Sequence, residues 1–237
     1  MSEDITYRAL ESADYPTIKQ LLCDQWHSQP GRDTDLAMKL AEIDLEDSLA
    51  RTTCAEVAVA DGKVVGVVLG GIEGKKDREK AERHHGASMG LRLSLDMNKG
   101  GHEAYKQYER NLKANEKLVD QARKEGQAYG AEVVLLLVDP AMQGQGIGQH
   151  LFDWVTAQFK DAGVDSYYLY TDTNCDYGFY DKQDLARRAV LDVEPHTPKE
   201  DAEVHKEDVS LDDHLHAMIY DNETSPANEG VNPLGRD

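Results

Sequence analysis

Hydrophobic and polar positions change rhythm several times along this chain. Residues 4–9, "DITYRA", have the alternation of a short strand. "SADYPTIKQLLCDQW" follows, with Ile18, Leu21 and Leu22 on one helical face and Ser12 placed to cap it. Residues 34–50 repeat apolar residues at helical spacing through Leu36, Leu40 and Ile43. "CAEVAVADGKVVGVVLGGI" then sets Asp61-Gly62 between two β-rich runs, which predicts a hairpin. Residues 75–129 are charged and poor in β-branched residues. They predict at least two helices, broken around Gly100-Gly101, forming a solvated insertion.

"AEVVLLLVDP" is an apolar run of strand length, expected to be buried on both faces. After it come Gly144, Gly146 and Gly148, and then a helical face of Ile147, Leu151, Phe152, Val155 and Phe159, closed by Gly163. "SYYLYTD" predicts a strand and "YGFYDKQDL" a short helix. "ARRAVLDV" and "HLHAMIYD" predict a hairpin across the polar loop 194–210. There is no internal repeat and no clear linker. The expectation is one domain over 1–221, with a mobile tail at 222–237.

Composition narrows the function classes. Hydrophobic content of 40% and charged content of 30% suit a globular protein, and no apolar run reaches the ~18 residues of a membrane helix. The net charge of −19 argues against nucleic acid and anionic membrane as partners. Cys23, Cys54 and Cys175 are sparse, without a CxxC pair. With an acidic N-terminus that lacks a leader pattern, they lead to a cytoplasmic expectation.

Glycine costs helix stability, so three alternating glycines at a helix start need a reason. A helix start leaves backbone N–H groups unpaired, and glycines let an anion approach them. The segment Gln143, Gly144, Gln145, Gly146, Ile147, Gly148, Gln149 is therefore a candidate phosphate cradle that needs no Lys or Arg. It is not a P-loop, because Gln149-His150 stands where Lys-Ser/Thr is required. GxGxG spacing this late in the chain also departs from the dinucleotide fingerprint, which sets aside a nucleotide-binding oxidoreductase.

The pattern Gln143-x-x-Gly146-x-Gly148, after a strand ending Val138-Asp139-Pro140, resembles the acyl-CoA signature of the GNAT N-acyltransferase superfamily. "TDTNCDYGFYDK" strengthens the resemblance, which covers about residues 4–221 apart from the insertion. One departure is Asp184-Leu185, where the family often has Gly-Phe; Asp tolerates a left-handed cap better than most residues. The resemblance implies an α/β fold with a mixed sheet and a helical insertion between the third and fourth strands. It implies acetyl-CoA as co-substrate, bound between the signature strand and the next, and no metal. Amides of residues 143–149 would take the pyrophosphate, and backbone groups at Leu137 and Val138 would pair with the pantetheine arm. Asn174 would bond the pantetheine or cap the short helix.

An amine would then attack the thioester directly. Glu132 stands in the family's register for the base, the alternative being a solvent-facing edge residue. Asp139 is a poorer base beside phosphate. Tyr180 stands at the family's position for the acid that meets the leaving thiolate, with Tyr177 its rival. Cys175 reads as a small buried residue. His214 and His216, which share a strand face, read as surface or acceptor-site residues. The function expected is an N-acetyltransferase acting on a small or peptide amine, cationic given the acidic balance. The alternative is a GNAT-fold acyl-CoA-binding sensor or assembly module without catalysis. For the insertion, three roles stand open: a wall of the acceptor site, a homodimer contact, and a solvated decoration.

Overall fold

A computed structural model describes residues 4–29, 31–97, 99–193 and 215–222. The expected loop 194–210 and all of the expected mobile tail but Asn222 lie outside these residues, as does His214. Contacts gather the chain into two compact units, Met1–Tyr105 with Gly130–Tyr167, and Lys106–Tyr129 with Tyr168–Asp237.

In the first unit, β1 (Thr6–Ala9), β2 (Cys54–Ala60), β3 (Lys63–Ile72) and β4 (Ala131–Val138) form antiparallel neighbours in that order. The β2–β3 hairpin turns at Asp61-Gly62, both left-handed, as an Asp-Gly type I′ turn requires. On one face lie α1 (Tyr15–Leu22) and α2 (Thr34–Arg51). Ile18, Leu21 and Leu22 of α1 and Ala37, Ala41, Leu45 and Leu49 of α2 join Val57, Val67, Leu69, Leu135 and Leu137 in one core. On the other face lies α5 (Ile147–Asp161), which buries the five apolar residues of its predicted stripe. It approaches β3 so closely that a Cβ on Gly70 would stand 2.6 Å from Val155 Cγ2.

Some boundaries differ from expectation. Ser12 is not the cap of α1. It begins a 3₁₀ turn at Ser12–Asp14, in which Asp14 and Glu11 satisfy each other's backbone N–H groups before α1 starts at Tyr15. Arg8 holds the Asp14 carboxylate with two bonds of 2.7 Å, which keeps that carboxyl below its ordinary range and ties β1 to the helix start. The signature strand β4 is not buried alike on both faces; buried and half-buried residues alternate along it. The register steps from Leu69↔Leu135 to Gly70↔Val133, so Val134 is an extra residue, a β-bulge.

Between β3 and β4 run two helices, α3 (Arg78–Asp96) and α4 (Lys99–Lys124). The break falls at Met97, and both Gly100 and Gly101 sit in the first turn of α4, where glycine costs less than in a helix interior. Nor is the segment a solvated decoration. α3 is tied to α2 by His84–Glu46 at 2.7 Å, Ser88–Asp47 at 2.7 Å and Arg92–Asp47 at 2.6 Å.

The second unit has its own core. β5 (Tyr167–Asp172), β7 (Leu215–Asp221) and β6 (Ala186–Val193) pair antiparallel in that order, with β6 and β7 forming the expected hairpin. Ala114, Leu118, Val119 and Ala122 of α4 are buried with Tyr129, Ala189, Ala217 and Ile219. Arg188 grips Asp221 through Nε at 2.7 Å and Nη2 at 2.8 Å, and Tyr129 Oη donates to the same carboxylate at 2.6 Å. A buried charge is tolerable when it is paired and hydrogen-bonded in this way.

Excising the insertion would therefore strip the second unit's core of its α4 residues. Leu118→Ala should destabilise the protein by about 2–5 kcal/mol in a urea titration. A loss under about 1 kcal/mol would mean that α4 does not carry this core.

Candidate functional site

β4 delivers the chain to the site. Asp139 follows it, and its side chain accepts from the Ala141 amide at 2.9 Å, which starts the 3₁₀ turn Pro140–Met142. Met142 is buried beneath the turn, and Gln143 is extended and exposed. Gly144 has φ 78° and Gly146, the N-cap of α5, has φ 81°. Both conformations strongly favour glycine, and a Cβ on either would meet nothing within 4 Å. Neither glycine is therefore demanded by crowding from the protein; their side is open.

The first helical bond of α5 runs from His150 N to Gly146 O at 3.0 Å. Among the described residues, no hydrogen bond is found for the amides of Gly144, Gly146, Ile147 and Gly148. These donors at the positive end of a helix dipole, on an exposed glycine-rich turn, form an anion cradle built from main chain alone. Ile147 is fully buried and anchors it, and Gln149 bonds Asp153 at 2.8 Å.

The ladder decides which backbone groups of β4 remain for a ligand. Asp139 N donates to Val65 O at 2.8 Å, so Leu137, two residues earlier, directs its N–H and C=O to Val67 of β3. Leu136 and Val138 direct theirs to the opposite edge. Leu137, expected to offer its backbone groups to a ligand, has them taken by β3, and the groups that face outward are those of Leu136 and Val138. Only the register could show this, because a one-residue slip reverses it.

Glu132 lies opposite Gly71 on the α2 side of the sheet, paired with Arg51 at the end of α2. It is not a free edge residue in solvent. Near the cradle, His150 stacks on Tyr7, ring centroids 3.5 Å apart, with Nε2 3.3 Å from Glu56 Oε2. Burial raises the Glu56 carboxyl above its usual range, and His150 partly offsets this. Sequence periodicity gave no sign of this trio.

The other candidates lie in the second unit. Asn174 is exposed, and its amide donates to Asp172 Oδ1 at 2.8 Å, an Asx turn. Burial and the neighbouring Asp172 push the Cys175 thiol up to about 12. Tyr180 sits on α6 (Gly178–Asp181) against the rings of Phe179 and Tyr220, and burial raises its hydroxyl well above the ordinary tyrosine value. A clamp fixes α6. Tyr220 Oη donates to Asp181 Oδ1 at 2.7 Å, Arg187 Nε donates to Tyr220 Oη at 2.7 Å, and Arg187 Nη2 bonds Asp181 at 3.0 Å. The same guanidinium lies 5.4 Å from the Tyr177 ring centroid, so Tyr177 serves the clamp. Asp184 adopts φ 56°, the left-handed cap conformation expected of it. His216 is buried on β7, not a surface residue. Among the described residues no group of three His, Cys, Asp or Glu is placed to hold a metal ion, and no helix is long and apolar enough to cross a membrane.

A family model described as "Acetyltransferase (GNAT) family" matches residues 15–184, a span that contains the cradle, β4, α5 and α6. The chain belongs to the GNAT acetyltransferase family. This GNAT protein is thus an acyltransferase, and acetyl-CoA is its co-substrate. Its cradle fits the diphosphate of that molecule in chemistry and in openness. No curated protein matches the sequence. Among solved structures, an apo variant of agmatine N-acetyltransferase superposes with TM-score 0.54 at 18% identity, covering 92% of this chain and 99% of that one. The polyamine N-acetyltransferase of Drosophila melanogaster, which forms N-acetylagmatine, gives TM-score 0.52 at 16% identity, with 92% and 99% covered. At such identities the likeness is one of fold.

Gly148 is an ordinary helical residue whose added Cβ would find only Val138 Cγ2, at 3.8 Å. Gly148→Glu should therefore fold, yet place a carboxylate beside the cradle. Acetyl-CoA binding should fall below calorimetric detection while the melting temperature stays within a few degrees. Unchanged affinity in the folded variant would remove the cradle assignment.

Proposed function

We propose that this GNAT protein N-acetylates a cationic primary amine by direct attack on acetyl-CoA in a ternary complex. The observation that carries this reading is the main-chain cradle, an anion site that works inside a chain of net charge −19 without a cationic side chain. The same acidic balance favours a cationic acceptor through long-range attraction. Agmatine and polyamines, the amines named for the two structural neighbours, are the natural first candidates. Its three free cysteines suit the cytoplasm as its place of work.

Direct transfer is supported by the thiols. A nucleophilic cysteine needs a lowered pKa, whereas burial raises Cys54 and takes Cys175 to about 12. In the proposed step the amine lone pair attacks the thioester carbonyl, a C–N bond forms and the C–S bond breaks. The amine proton passes to Glu132, directly or through water, using the carboxylate oxygen that Arg51 leaves over. The departing sulfur takes the Tyr180 proton. That hydroxyl is protonated at neutral pH, as a donor must be, and burial shifts its pKa further in the same direction. Holding the two reactants in line supplies much of the acceleration.

Tyr180→Phe should lower turnover by about 10²–10⁴-fold with acetyl-CoA affinity near wild type, and Tyr177→Phe should change turnover much less. Wild-type turnover in Tyr180→Phe would overturn the acid assignment. CoA release should follow addition of agmatine or polyamines and not of acidic amines. Binding of acetyl-CoA with no release across the amine panel would replace this reading with a non-catalytic acyl-CoA-binding module.

A further inference from the structure

The Val138 carbonyl points off the edge of β4 opposite β3, yet a side chain already meets it. Gln25 Nε2 donates to Val138 O at 3.1 Å. Gln25 belongs to a π-helical turn, Cys23–His27, that continues α1, where Ser28 N reaches back five residues to Cys23 O at 2.7 Å. Such windings are rare and concentrate at functional sites. The turn is anchored on both sides of Gln25. His27 Nε2 lies 3.1 Å from Asp44 Oδ2, Arg32 Nη1 donates to His27 O at 2.8 Å, and Cys23 is buried in the core of the first unit. A rigid support thus presents one primary amide to the last outward carbonyl of β4.

A strand-like ligand on that edge would offer the same oxygen an amide N–H of its own. We propose that Gln25 is a positioning residue of the donor site that acts as a placeholder. It holds the Val138 carbonyl in the free protein and yields it to the pantetheine amide when acyl-CoA binds. This rests on the acyl-CoA reading above. The exchange trades one amide donor for another, so the carbonyl is never left without a bond, which is the costly state for a half-buried acceptor. It also couples the turn at 23–32 to donor occupancy. Donor binding frees the Gln25 side chain and loosens the link between α1 and β4.

The test is calorimetry of acetyl-CoA against the wild-type chain, Gln25→Met, which keeps the length and removes the donor, and Gln25→Glu, which cannot donate while ionised. Removing a competitor should tighten acetyl-CoA binding by about two- to tenfold in Gln25→Met, the worth of one net hydrogen bond. Gln25→Glu should move the same way. The free Gln25→Met protein should melt below wild type, and the gap should close at saturating acetyl-CoA. Damage of a purely structural kind has the opposite sign, so weaker or unchanged affinity in both folded variants would overturn the placeholder. If the wild-type chain binds no acetyl-CoA, the acyl-CoA reading falls and takes this inference with it. Wild-type binding with unaltered variants removes the placeholder alone.

Discussion

The close approach of α5 to β3 constrains the whole donor side. Gly66 and Gly70 carry no side chain where Ile147, Leu151, Val155 and Phe159 press down, so the helix axis is held near the sheet. That depth fixes where the helix begins. β4 runs beside β3, and the chain has only eight residues, Asp139 to Gly146, in which to leave the strand, turn on Pro140–Met142 and enter α5. A left-handed N-cap at Gly146 completes the turn and aims the unpaired amides outward. A larger residue at position 66 or 70 would lift the helix and carry those amides away from the end of β4.

Main-chain donors suit this chain for an electrostatic reason. A cluster of lysines would have to hold its charge among 45 acidic residues, many of which already take the available bases. The carboxylates of α2 are an example: Glu42, Asp44, Glu46 and Asp47 each meet Lys19, His27, His84 or Arg92. Amide dipoles carry no net charge and cannot be drawn into such pairs. The second unit solves a different problem, the placing of Tyr180 on a four-residue helix too short to be stable alone. The Asp181–Tyr220–Arg187 clamp does this with side chains from α6, β6 and β7.

Local chemistry was legible in the sequence; partners distant along the chain were not. The stripe of α5, the Asp61-Gly62 hairpin, the glycine cradle and the cap at Asp184 each depend on residues a few positions apart. The burial of α4 was hidden because Ala114, Leu118, Val119 and Ala122 are small or sparse among charged neighbours, and alanine favours a helix whichever face is buried. Glu132 was expected as a base or a solvated edge residue, and neither option foresaw Arg51, 81 positions earlier. Gln25 gave no signal either, since its partner is a backbone oxygen 113 positions away. Choosing Leu136 over Leu137 needed the ladder, which apolar runs do not encode.

The bulge at Val134 makes β4 a strand with two phases. Beyond it, Leu135 and Leu137 look toward α1 and α2, and Val138 lies under the start of α5. Before it, Val133 sits opposite Gly70 on the α5 side, and Glu132 turns toward α2. Odd and even positions thus exchange meaning within a single strand. A relative without the extra residue would stay in step with this chain on one side of Val134 and fall out of step on the other. Residues that share a column in an ungapped alignment would then stand on opposite faces of the sheet, and part of the apparent divergence between two such proteins would be a difference of phase.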